Sequence, residues 1–120
     1  MIHPIITTAI VLTLLDATYL HLITPIFNKQ IKLVQRSDIS IRTPAAIACY
    51  IFIVLGLYYF IIRGRKSILD AFILGLVVYA IYELTNYSLF KKWTLQTVIV
   101  DTLWGGILYS LTTWIVYKIK

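Results

Sequence analysis

Charge is what this sequence has least of. Lys, Arg, Asp and Glu make up 13% of its 120 residues, about half the share usual in a soluble domain. Only five residues are acidic. Cysteine is almost absent. The single Cys49 excludes an intrachain disulfide, and inside an apolar run it reads as a small hydrophobe. The two histidines, His3 and His21, have no ligand spacing, so no metal site is expected. There is no Gly-rich phosphate loop, no nucleophile elbow and no Cys-x-x-Cys, so no cofactor is implied. The net charge is +6, but no basic run is long enough for a nucleic-acid arm, and no nucleic-acid partner is expected. The start of the chain lacks a positively charged segment and a small-residue cleavage site, so Met1 onward is expected to be retained.

What remains is apolar. Hydrophobic residues make up 60% of the chain, and mean hydropathy is +0.86. A bilayer suits such a chain better than water, and its lipids are the first expected partners. The length leaves room for one four-span membrane domain over residues 1–120. The spacing predicts spans over about 4–24, 44–62, 67–88 and 94–117. Pro4 suits a first helical turn, and Pro25 marks the end of the first span. About twenty residues at roughly 1.5 Å each cover a hydrocarbon core of about 30 Å. In the linker 25–43, Phe27, Ile31 and Val34 recur at helical spacing and suggest a short interfacial helix. Thr43-Pro44 reads as an N-cap followed by a first-turn proline, and Thr94 as the cap of the fourth span.

The fold class is therefore all-α, an integral membrane four-helix bundle with both termini on one side, here side A. Side A collects Arg63, Arg65, Lys66, Lys118 and Lys120. Side B collects Lys29, Lys32, Arg36, Arg42, Lys91 and Lys92. The near balance gives no orientation by the positive-inside rule. Tyr58, Tyr59, Trp93, Trp114 and Tyr117 lie near span ends, as an aromatic belt would.

The informative residues are acids inside apolar runs. Asp38 lies in the linker, and Asp70 lies one turn into the third span, beside Arg65 and Lys66. Both read as solvated or interfacial. Asp16, Glu83 and Asp101 differ. Counted along their helices, all three enter the half of the bilayer nearer side B, where no Lys or Arg is placed to neutralise them. Burial and mutual repulsion then favour a proton on at least one of them. Helical spacing puts polar company beside each: Tyr19 near Asp16, then Tyr79, Tyr82 and Asn86 near Glu83, and Trp104 near Asp101. Gly75, Gly105 and Gly106 mark close helix packing.

The Tyr82-Glu83-Leu84-Thr85-Asn86 stretch, the turn with Trp93, and the Asp101-x-x-Trp104-Gly105 element resemble the membrane protein family called domain of unknown function 2177. Leu15-Asp16-Ala17, Tyr50 and Gly56 are weaker matches. The family usually has Asp where this chain has Glu83, and often proline near Thr94. The resemblance implies a four-helix membrane protein and supports Asp16, Glu83, Asn86 and Asp101 as one constellation. It implies no established activity, with only a hint of lipid metabolism.

Three functions stay open at this level. The acids form a pocket that binds or passes protons, a cation or a small polar solute, with a homo-oligomer completing any pathway. Alternatively the chain is a lipid-metabolism enzyme or accessory protein, although a nucleophile and a cofactor motif are missing. Or it is a structural subunit of a larger membrane complex, its acids serving as interhelical bonds of about 0.5–2 kcal/mol each.

Overall fold

The computed structural model describes residues 3–35 and 43–119. The linker residues Arg36, Asp38 and Arg42, the Val34 side chain and Lys120 lie outside the described residues. The chain forms four helices: α1 (Pro4–Gln35), α2 (Thr43–Leu57), α3 (Ile68–Leu89) and α4 (Leu95–Ile119), with a π-helical turn, Tyr58–Ile62, extending α2. Each, α2 together with that turn, is long and apolar enough to cross a membrane. Their outer faces carry large apolar side chains, among them Phe52, Leu22 and Leu14. In water that surface would drive association; against lipid tails it has no such penalty. The chain is a multi-pass integral membrane protein.

The first helix does not end at Thr24. It continues through Pro25 to Gln35, so Phe27 and Ile31 belong to α1 and not to a separate interfacial helix. Proline removes one backbone hydrogen bond, and membrane helices tolerate this where side chains support the adjoining turn. Here the Thr24 hydroxyl donates to the Leu20 carbonyl just before the proline. Beyond it, the Phe27 ring meets Trp93 edge-on at 6.1 Å. Tertiary contact therefore holds the extension that local sequence argues against.

Helix α4 is central. It packs most extensively on α3 and also on α1, and α1 packs on α2. Its start is capped as expected, with the Thr97 amide donating to Thr94 Oγ1 at 3.3 Å. Ser67 caps α3 in the same way, accepting from the Asp70 amide at 3.0 Å. Successive helices alternate in direction, which returns the chain end to side A. Toward that side lies the main apolar cluster, where Leu12, Leu57, Leu108 and Tyr109 from three elements pack together.

The π turn is closed by the Arg63 amide on the Tyr58 carbonyl at 2.8 Å. Its wider turn allows the consecutive Ile61 and Ile62 both to be buried. The following turn holds Arg65 at φ 51°, a left-handed conformation rare for a side chain of this size. Tyr117 of α4 fixes that turn. Its hydroxyl donates to the Lys66 carbonyl at 2.8 Å and lies 3.3 Å from that of Ile61, and the Arg65 guanidinium lies 4.7 Å above its ring. Replacing Tyr117 by Phe keeps the ring and removes the donor. The expected cost is about 1 kcal/mol, with faster amide exchange confined to residues 61–67. Unchanged exchange there would show that the turn holds without α4.

Candidate functional site

The three buried acids each come from a different helix, and each meets a ring N–H or phenol donor. Asp16 of α1 is 6% exposed, Asp101 of α4 is 7% and Glu83 of α3 is fully buried. Asp16 accepts from two helices: Trp104 Nε1 donates to Oδ1 at 2.9 Å, and the Tyr50 hydroxyl of α2 donates to Oδ2. The Tyr19 hydroxyl donates to Asp101 Oδ1 at 3.0 Å. Trp93 Nε1 donates to Glu83 Oε1 at 2.9 Å.

Two of these bonds form a reciprocal clasp. Helix α1 carries Asp16 and, three residues on, Tyr19. Helix α4 carries Asp101 and, three residues on, Trp104. Because the helices run antiparallel, each acid takes the aromatic donor of the other helix. The two rings stack between the acids, centroids 4.4 Å apart and planes 4° from parallel. A spacing of three residues puts acid and aromatic on one helix face about a turn apart.

The other half of the site is a carboxyl pair. The Asp101 carboxyl stands within hydrogen-bonding reach of Glu83. Glu83 Oε2 is buried and has no N–H or O–H donor among the described residues. Ionised carboxylates only accept, so a bond between two carboxyl groups requires a proton on one of them. The whole arrangement runs from Tyr50 through Asp16, the Trp104–Tyr19 stack and Asp101 to Glu83 and Trp93.

Close helix contact makes this possible. A Cβ on Gly75 would stand 2.1 Å from the Gly105 carbonyl oxygen, and one on Gly105 would stand 2.3 Å from the Tyr79 ring. At Gly106 a Cβ would meet Phe72 at 2.8 Å. Tyr79 thus lies over Gly105, edge-on to Tyr109 at 6.3 Å, and within electrostatic range of Asp16 and Asp101.

Some expected members stand apart. Tyr82 is 54% exposed and its hydroxyl bonds the Asn86 side chain; this pair makes the outer flank of α3. His21, Cys49 and Asp70 are exposed on the helix surfaces. The described residues bring no three His, Cys, Asp or Glu side chains into one metal-binding group.

Two donors were not placed by sequence reasoning. Trp93 does not join an interfacial belt. It is 3% exposed and turns inward from the α3–α4 connection to reach Glu83. Tyr50 carried only a weak motif signal. What could have indicated both is a donor count, since a buried acid must find donors and its own helix offered too few.

Searches of curated proteins and of solved structures returned no match. A family model described as "Predicted membrane protein (DUF2177)" matches residues 1–118. The motif residues Glu83, Asp101 and Trp104 all belong to the carboxyl network, and Gly105 lets α3 pack closely beside it; with a match over nearly its whole length the chain belongs to the DUF2177 family of predicted membrane proteins.

Proposed function

We propose that this membrane protein binds a proton reversibly inside its helix bundle, on the Glu83–Asp101 pair, with Asp16 as the next carboxyl in the same network. One observation carries the reading: a fully buried Glu83 with one oxygen on Trp93, the other without a donor, and a second carboxyl beside it. Ionised, two such groups would repel each other in a low dielectric; sharing a proton removes the repulsion. A metal cation fits less well. Cations need several free oxygen ligands, whereas both oxygens of Asp16 and one of Glu83 already accept from N–H or O–H donors.

The test is infrared spectroscopy of reconstituted protein across a pH titration, with proton flux measured on the same proteoliposomes. A protonated-carboxyl C=O band should appear and vanish reversibly, and Glu83→Gln and Asp101→Asn should each remove it. Glu83→Gln should nevertheless fold, because the amide oxygen can still accept from Trp93 and the amide nitrogen can donate to Asp101. A well-folded Glu83→Gln protein whose carboxyl band is unchanged would end the proposal. Flux unaltered in Asp16→Asn, Glu83→Gln and Asp101→Asn would restrict the site to proton binding without passage.

A further inference from the structure

We propose that an anionic phospholipid docks at the side A end of the bundle, with an acyl chain in the groove between the π turn and α3 and its phosphate against Lys66. The site is separate from the carboxyl network and does not rest on the reading above.

The groove exists because two elements adjacent in sequence do not pack closely on each other. Helix α3 packs on α4, whereas the π turn leans on α1. Between them lies an open groove of about 350 Å³, lined by Phe60, Ile61, Lys66, Asp70, Ile73 and Val77 among others. Asp70, Ile73 and Val77 recur at three- and four-residue steps, so they form one stripe of α3 about 10 Å long. Phe60, Ile73 and Val77 are about half exposed. In a bilayer such a space fills with lipid chain. Left empty, it would cost the lining its dispersion contacts, and the hydrocarbon core holds no water to replace them.

Charge decides which lipid. Arg63, Arg65 and Lys66 fall within four residues at the groove mouth, and Asp70 is the one acid on this side among the described residues. Two of these cations are held against rings, Arg63 4.2 Å from the Tyr59 centroid and Arg65 4.7 Å from that of Tyr117. Neither ring supplies the guanidinium with an anion. Lys66 is the cation in the groove wall itself, and its backbone is fixed from both sides. Its amide donates to the Ile61 carbonyl at 2.9 Å, and its carbonyl accepts from the Tyr117 hydroxyl at 2.8 Å. Helix α3 begins at the same mouth, and the positive end of its dipole adds to the field. A basic pocket between helices at the membrane surface suits an anionic headgroup. Asp70 opposes that headgroup, which gives the proposal a test of sign.

The experiment is native mass spectrometry of the intact protein in detergent, titrated with phosphatidylglycerol or with phosphatidylcholine of the same chains. Phosphatidylglycerol should bind at least about fivefold more tightly, the factor expected from one cation beside an anionic headgroup. Lys66→Gln should lose this preference and Lys66→Arg should keep it. Lys118→Gln removes a side A cation that lies over Trp114 instead, and should change binding less than about twofold. Ile73→Trp fills the groove without changing charge and should weaken both lipids; Leu103→Trp, on the lipid-facing side of α4, should weaken neither. Asp70→Asn should tighten phosphatidylglycerol. Equal losses from Lys66→Gln and Lys118→Gln would reduce the effect to a charged membrane end and overturn the proposal. So would unchanged binding in well-folded Ile73→Trp, or weaker phosphatidylglycerol binding in Asp70→Asn. Displacement of the lipid by inorganic phosphate would overturn it as well, since that would show an ion site without a chain groove. Circular dichroism checks the fold of each variant, and Lys66→Arg and Asp70→Asn, which remove no packing, keep the test decisive if Ile73→Trp does not fold.

Discussion

Gly105→Ala is expected to separate α3 from α4 and to lower stability by about 3 kcal/mol or more, beyond the usual range for overpacking. A single added methyl would meet the Tyr79 ring at 2.3 Å and the Gly75 carbonyl oxygen at 2.7 Å. One obstacle is backbone and the other a ring held against Tyr109, so neither can yield without moving a helix. Gly75→Ala should behave alike, since its Cβ would meet backbone at 2.1 Å. The control is Gly56→Ala inside α2, where nothing lies within 4 Å; it should leave stability unchanged or raise it, by up to about 1 kcal/mol. Unfolding titrations in mixed micelles with SDS would compare the three. Equal stability of Gly105→Ala and Gly56→Ala would mean that α3 and α4 are not in backbone contact. The same separation should also move Glu83 from Asp101, so the carboxyl signal should be lost together with the stability.

Asp16→Ala is expected to have the second-largest effect. It strands two donors at once, the Tyr50 hydroxyl and the Trp104 indole N–H. In water-soluble proteins each orphaned buried donor costs about 1–3 kcal/mol; interhelical bonds in membranes contribute closer to 0.6–2. A total near 2 kcal/mol follows. Asp16→Asn should recover part of this, because its amide oxygen keeps one donor while its NH₂ faces the other. A double-mutant cycle of Asp16→Ala with Tyr50→Phe should give a coupling above about 0.5 kcal/mol. Zero coupling would show that the α1–α2 bond contributes nothing. Helix α2 should then loosen first, because Tyr50 is its main polar tie to α1.

Much of the architecture was legible in the residues. Pro44, Ser67, Thr94 and the basic turns placed the helix ends well, because capping and charge act locally. Pro25 misled, because proline is a local signal and the extension of α1 is held by Phe27 against Trp93. The acids were also legible: Asp16, Glu83 and Asp101 are conspicuous in any apolar run, and all three are buried. Their donors were not. Tyr82 and Asn86 stood at the right spacing beside Glu83, yet the donor it takes is Trp93, from beyond the end of its helix.

By itself, then, the sequence determined a four-span membrane protein with three acids held away from water and charge. Both follow from transfer free energies along the chain, which need no knowledge of neighbours. Only the tertiary structure decided which groups those acids meet, across separations of 34, 82 and 88 residues. In lipid a helix is apolar on all sides, so periodicity does not mark its inner face as it does in water. The rotation of each helix was decided by small residues allowing close approach, and by donors that had to reach a carboxyl.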